Sequence, residues 1–165
     1  MDFISYLPAI ILLILGFGLV VLEMYLPGFG APGILGCILL VAGVVRRKGR
    51  LLLCQRPEGK RLGLLWEFPG GKVEAGETTE AALERELKEE LNVTTRTGRV
   101  LDVLRADDRN GGDLLLLFYE SEIVSGEPET VECRAFAWAL PQDVRAYDLA
   151  PADALFARRN LPGDI

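Results

Sequence analysis

Three glutamates, Glu86, Glu89 and Glu90, crowd the stretch Arg85-Glu86-Leu87-Lys88-Glu89-Glu90. On a helix, residues three and four apart are surface neighbours, so Glu86 faces both of the others, and each like-charged pair costs roughly 0.2–0.5 kcal/mol. Two such conflicts in one turn predict a divalent cation held among the carboxylates; the alternative is a merely solvated acidic face. Hard cations such as Mg2+ take oxygen ligands, keep several waters and bridge carboxylates to substrate phosphates. The chemistry expected is therefore cation-dependent attack on a phosphate. The chain has no histidine, which removes the commonest general base. Water activation then falls to a carboxylate, to a cation-bound water of lowered pKa, or to both.

The elements that must position these groups can be read from the flanking residues. Leu83, Leu87 and Leu91 recur every four residues and give the helix a buried stripe opposite its acidic one. Thr78 or Thr79 is suited to cap its start, Glu84 and Lys88 pair on its flank, and Asn92 can adopt the left-handed conformation that ends it. Strands are expected over residues 41–47 and 50–55, joined by a turn at Lys48-Gly49, and over 96–105, 113–122 and 135–140. Short helices opened by proline are expected over 141–147 and 151–160.

Gly71, Glu77, Arg85, Glu86, Leu87, Glu89, Glu90 and Val93 match, in register, the Nudix box of the MutT-like pyrophosphohydrolases: Gly, five residues, Glu, seven residues, then Arg-Glu-aliphatic-x-Glu-Glu-x-Gly-aliphatic. Asn92 stands where that pattern has its last glycine. Trp66-Glu67-Phe68-Pro69-Gly70-Gly71 matches the segment leading into the box, and the resemblance runs from about residue 40 to 161. It implies an α/β fold over 41–165, a mixed α+β sheet in a Nudix-type α/β/α sandwich. It also implies hydrolysis of a nucleoside diphosphate linked to some group X, in the simplest case a nucleoside triphosphate cut to monophosphate and pyrophosphate. By resemblance, Glu86, Glu89, Glu90 and the carbonyl of Gly70 are metal ligands for Mg2+, with Mn2+ as its substitute, while Glu77 and Arg85 pair to lock the loop to the helix. Glu132, six residues before Trp138, matches a distal acid that joins the metal site or acts as base; simple solvation of its acidic loop is the alternative. Arg56, aligned with a phosphate-contacting arginine, and Phe68 are expected at the substrate. Asp153 falls where these enzymes read the base edge, and an ionised aspartate only accepts hydrogen bonds, which favours a base offering an amino group such as cytosine or guanine. Capping of the 151–160 helix is its alternative.

The first forty residues have a different character. Residues 3–22 are uncharged and mostly apolar, long enough at about 1.5 Å per residue to cross a hydrocarbon core of about 30 Å. The expected N-terminal transmembrane helix covers about 3–26, followed by a Gly/Pro break at 27–33 and a short apolar segment at 33–40. This region resembles the membrane part of NfeD-like proteins. Residues 33–45 are apolar enough for a helix but include the first strand, so an interfacial or re-entrant helix ending near Leu40 is expected before the strand starts at Val41. Fusion of two unrelated pieces, or a faulty gene model, would explain so abrupt a junction. No lysine or arginine precedes Arg46, and Arg46-Arg47-Lys48-Gly49-Arg50 follows, which places the catalytic domain on the cytoplasmic side, anchored to the membrane. The same basic run is suited to anionic headgroups.

Of 24 acidic residues only Asp2 and Glu23 lie before Arg46, leaving 22 acids against 18 bases in the rest. That balance argues against a nucleic acid polymer as partner. Cys37, Cys54 and Cys133 lack CxxC spacing, so reduced thiols and no zinc site are expected. A rival to the enzyme is a membrane scaffold whose Nudix domain binds nucleotide without cleaving it.

Overall fold

The computed structural model describes residues 38–107 and 113–162. The expected membrane helix at 3–26 and the Gly/Pro break at 27–33 lie outside the described residues. The chain divides into two units, Met1–Gly36 and Cys37–Ile165, and all described residues belong to the second. Among them no helix is long and apolar enough to cross a membrane.

The described elements run β1 (Ile38–Arg47), β2 (Arg50–Gln55), β3 (Trp66–Glu67), β4 (Gly70–Lys72), α1 (Thr79–Leu91), β5 (Thr94–Asp107), β6 (Asp113–Ser125), β7 (Ala135–Ala139), a 3-10 turn (Val144–Ala146) and α2 (Pro151–Asn160). They build one mixed seven-stranded sheet along the path β3-β2-β1-β6-β5, with β4 added to β1 and β7 to β2. The pairing of β1 with β6 is parallel, and the other strand pairings are antiparallel. β1 is therefore central. One of its edges follows β6, while the other is shared between β4 at Leu40–Ala42 and β2 at Arg46 and Arg47.

A strand covered on both faces should read as a continuous apolar run, and β1 does. Ala42 and Val44 join Leu51, Leu53, Phe118 and the α2 residues Phe156 and Ala157 in one core. Val41 and Val45 join Leu52, Cys54, Tyr119 and the α1 residues Leu83, Leu87 and Leu91 in the other. The two helices thus sandwich the sheet, as the α/β/α expectation requires. The leucine stripe of α1 is completely buried, each side chain contributing about 1.5–3 kcal/mol. Gly43 gives it room, since a Cβ there would lie 3.2 Å from Leu87 Cδ1 and 3.4 Å from Leu83 Cδ1.

Several boundaries depart from the sequence reading. β1 begins at Ile38, so residues 38–40 are strand where the end of an interfacial helix was expected. Leu40 has partners on both sides, Lys72 and Leu116, and such pairing decides for strand where an apolar run alone is ambiguous. The helix expected over 141–147 reduces to the 3-10 turn at Val144–Ala146. β5 and β6 both run past their expected ends, and β5 absorbs register shifts near Thr94, Thr97 and Val100. The basic run forms the β1–β2 hairpin, a strand length of about 30 Å from Ile38. There the Arg47 guanidinium is held by Glu127 through two bonds of 2.5 and 2.6 Å and lies 5.9 Å from the Trp138 ring centre.

Candidate active site

Two glycines and two caps shape the acidic helix and its approach. Gly70 has φ 153, and a Cβ on it would overlap the Val41 carbonyl and lie 2.9 Å from Ala42 Cα. Only glycine lets β4 lie this close on β1. A Cβ on Gly71 would collide with the Glu86 carboxylate, so the second glycine leaves space for a charged group. Thr78 caps α1, its Oγ1 accepting from Ala81 N at 3.2 Å. At the other end Asn92 takes φ 55, ψ 29, and its N–H donates to Lys88 O at 3.0 Å. Asparagine here performs the task of the pattern's glycine.

Arg85 is the hub of the loop–helix junction. Its Nη2 donates to Glu77 Oε1 at 2.8 Å and to the Lys72 carbonyl at 3.0 Å, and its Nε donates to Glu77 Oε2 at 3.2 Å. Nη1 donates to Glu86 Oε1 at 3.0 Å and to Glu89 Oε2 at 3.1 Å. Glu77 also accepts from Glu74 N at 2.8 Å. The bonds from Arg85, then that from Glu74, hold the Glu77 carboxyl below the usual range, and the same pairing with Glu77 pushes Arg85 up.

Glu86 and Glu90 behave differently. Burial raises Glu86, against the opposing pull of Arg85. Burial, reinforced by the negative field of Glu67, pushes Glu90 up to about 8, and the N–H of Gly70, 3.2 Å from Glu90 Oε2, only partly offsets it. The carboxylates expected as ligands thus include one that burial keeps protonated near neutrality. Among the described residues no three acidic, cysteine or histidine side chains are gathered as a ready metal site, and both Glu86 and Glu89 are bonded to Arg85. The donor set nevertheless fits a hard cation: two desolvated carboxylates in one turn of helix, the deeper of them beside the Gly70 backbone.

Glu67, quoted in the lead-in but given no role in the sequence reading, lies between this cluster and the candidate substrate residues. Its Oε1 accepts from Arg56 Nη1 at 2.8 Å and its Oε2 at 2.5 Å, and burial raises its pKa despite that pairing. Arg56, expected at a phosphate, is thus engaged with Glu67 and, through Nε, with the Arg61 carbonyl at 2.8 Å. The backbone of Trp66 is bonded to Asp148 O and Ala150 N, both at 2.8 Å, which draws β3 against the start of α2. Asp153 follows from that contact. It is buried and its Oδ1 accepts from Phe68 N at 2.8 Å. Burial, with the field of Glu67, pushes its pKa up to about 7. Capping is excluded: the cap of α2 is Ala150, with no side-chain bond, and Asp153 points away to Phe68. The Phe68 ring is a correction of another kind. It is 2% exposed and packs edge-on against Phe118 and Phe156, so this residue offers a backbone N–H beside Asp153 and not an open aromatic face.

Glu132 reaches the site through its backbone. Its N–H donates to the Glu90 carbonyl at 3.3 Å, while its carboxylate is exposed and lies 3.7 Å from Lys60 Nζ. Cys54, on β2, is buried, and Cys133, next to Glu132, is half-buried against the same core. No sequence signal joins them. Cys54 is brought beside Glu67 by the β2–β3 register, which is a product of tertiary pairing.

A glycine-lined strand delivers its backbone to a helix with paired, desolvated carboxylates, an arrangement suited to phosphate chemistry. The sequence model of the NUDIX domain matches residues 39–159, and the chain belongs to the Nudix hydrolases, which act on phosphoric anhydrides. It is 36% identical over 114 residues to the CTP pyrophosphohydrolase of Escherichia coli, covering 69% of this chain and 84% of that one. It is 33% identical over 125 residues to the 8-oxo-dGTP diphosphatase of Haemophilus influenzae, covering 75% and 91%. The solution structure of the E. coli ORF135 protein superposes with a TM-score of 0.67 at 34% identity, over 78% of this chain and 91% of that one. The model of the NfeD integral membrane domain also matches residues 4–62. The last part of that match, from Ile38 on, is β1, β2 and the loop after them.

Proposed function

We propose that the chain is a membrane-tethered, Mg2+-dependent nucleoside triphosphate pyrophosphohydrolase with a preference for a base that carries an amino group, cytosine first. The observation that carries this is Glu90: a carboxylate desolvated at the Gly70 strand, repelled by Glu67 and Glu86, and given one backbone N–H as its partner. Glu86, Glu90, Glu89 once freed from Arg85, and the Gly70 carbonyl would hold the cation. A bound divalent cation lowers the pKa of water and neutralises charge building on a leaving phosphate. Arg85 keeps Glu86 and Glu77 in place, so the carboxylate turn is oriented before substrate arrives. In a chain without histidine, a carboxylate takes the proton from the attacking water, and Glu132, whose exposed carboxylate lies 3.7 Å from Lys60 Nζ, is the residue assigned to that step. Asp153 Oδ1 and the Phe68 backbone form the polar edge of the base subsite, and the remaining Asp153 oxygen accepts from an exocyclic amino group. Similarity to a CTP pyrophosphohydrolase supports cytosine. The run without lysine or arginine up to Arg46 supports a cytoplasmic catalytic domain.

The test is incubation of the purified chain with CTP, dCTP, GTP, 8-oxo-dGTP and ADP-ribose, with Mg2+ or a chelator, reading pyrophosphate and monophosphate. Cation-dependent release of pyrophosphate is expected, reduced on the order of a hundredfold or more in Glu89→Gln, since a misplaced reacting group alone costs about that much. Unchanged turnover in that variant removes the carboxylate turn from the chemistry.

A further inference from the structure

Arg46, Arg47, Lys48 and Arg50 gather on the β1–β2 hairpin, and the chemistry above leaves them unused. The turn at Lys48 (φ 48) and Gly49 (φ 75) has the left-handed backbone that suits a tight hairpin, and it sets Arg47 directly opposite Arg50. Like charges facing each other across a strand pair are destabilising. Glu127 relieves one of them through its two bonds to Arg47, while Arg50 Nη1 donates to an uncharged group, the Trp138 carbonyl, at 3.1 Å. Arg46, Lys48 and Arg50 are exposed. Two adjoining cavities of about 280 and 270 Å³ open at this place and share Arg47 and Glu127. The first lies between Arg46 and the end of β6, where Val124 is half exposed, and the second lies among Lys48, Arg50 and Trp138. Glu122 also lines the first cavity, but the β5–β6 register sets Arg96 opposite it.

We propose that this hairpin is a docking surface for the anionic headgroups of a lipid bilayer, with Arg46, Lys48 and Arg50 on the phosphates and with Trp138 and Val124 resting at the interface. Charge selects the face. From Arg46 on the chain holds 22 acids against 18 bases, so a negative surface repels the domain as a whole and attracts it where these cations stand clear of carboxylates. Chemistry selects the ligand: an arginine fork matches phosphate oxygens, and tryptophan sits at headgroup level, between water and hydrocarbon. A nucleic acid polymer would need a basic face that continues beyond one hairpin. Each cation near an anionic leaflet strengthens contact about fivefold. The tether proposed above supplies only the nearness of a bilayer; the contact itself rests on the hairpin. Ala42, where β4 brings Gly70, is about 17 Å back along β1 from Arg47, so the docking surface and the carboxylate turn are separate.

Lysine acetylation reads the contact without any substrate. The lysines of the chain are Lys48, Lys60, Lys72 and Lys88, so the first reports the hairpin and the others report the rest of the domain. The full chain is placed in nanodiscs of phosphatidylcholine alone or mixed with phosphatidylglycerol, treated briefly with acetic anhydride and mapped by peptide mass spectrometry. Lys48 should react about fivefold more slowly in the anionic discs, with Lys60, Lys72 and Lys88 unchanged and the difference lost at high salt. The double variant Arg46→Gln, Arg50→Gln should lose the protection and keep its pyrophosphate release. Equal acetylation of Lys48 in the two discs overturns the proposal, and so does an equal slowing of all the lysines. Protection of Lys48 in neutral discs by inorganic phosphate or by an RNA oligonucleotide, as strong as that by anionic lipid, assigns the surface to a soluble anion and also overturns it. A chain that fails to enter the discs refutes the tether and not the hairpin; Lys48 is then read, by the same criteria, on chain mixed with phosphatidylglycerol vesicles. Absence of turnover in every disc counts against the proposed function and leaves the lysine pattern to stand on its own.

Discussion

Replacing Glu90 by glutamine should make the cation-free protein more stable at alkaline pH while destroying its response to Mg2+. Burial, with the field of Glu67, raises this carboxyl to about 8, whereas in the unfolded chain it sits near the ordinary glutamate value of about 4.3. Between those limits the folded state binds one proton more than the unfolded state, so unfolding free energy falls as pH rises, by about 1.4 kcal/mol per pH unit. The penalty is absent below the unfolded value, grows through neutrality and is complete above about 8, reaching several kcal/mol. Glutamine keeps an oxygen for the Gly70 N–H and never ionises, so Glu90→Gln should lose that slope. Glu77, held low by Arg85, has the opposite sign, but its contribution fades only under acid, as pH falls through its own depressed pKa. The assay is urea unfolding of parent and variant in detergent with a chelator, from pH 5 to pH 9. The two stability curves should diverge upward in favour of the variant, and saturating Mg2+ should stabilise the parent alone, because a ligand stabilises the state it binds. Parallel curves would show that Glu90 is not strained by its surroundings, and the argument for a cation at this turn would fall with it.

Three further outcomes follow from individual contacts. Gly70→Ala places a methyl group on the Val41 carbonyl; the β1–β4 pairing should open, with loss of turnover and a lowered Tm in thermal unfolding. Asn92→Ala should cost about 1 kcal/mol in denaturant titrations, from an alanine forced into the left-handed region, whereas Asn92→Gly should be close to neutral although it forfeits the 2.8 Å bond from Lys88 Nζ. Asp153, raised to about 7 by burial, should accept from an amino group better as it ionises. The kcat/KM for CTP relative to UTP should therefore climb as pH passes through about 7, and Asp153→Asn should flatten the climb; an unaltered profile places base selection elsewhere.

What could be read from the sequence divides along a physical line. The Asn92 cap and the α1 leucine stripe are local: each depends on residues within a turn of one another, and side-chain type with spacing suffices to place them, whereas the Arg85–Glu77 lock came from the resemblance to the Nudix box. The position of Asp153 was legible but its direction was not, because the Phe68 N–H it reaches is set by Trp66 bonding to Asp148 and Ala150. Glu67 had an ordinary place in an aromatic-proline-glycine run, and its part emerges only when the β2–β3 register sets it opposite Cys54 and its carboxylate closes on Arg56. The start of β1 failed for a related reason. Residues 38–40 carry no polar alternation, and a strand with neighbours on both edges and helices on both faces has none to show. Non-local pairing thus accounts both for the elements that sequence misplaced and for the acidic group it left without a role. Glu67, on β3, is among the groups that raise Glu90, so the charge of the candidate cation-binding turn depends on β3 as well as on the helix that carries it.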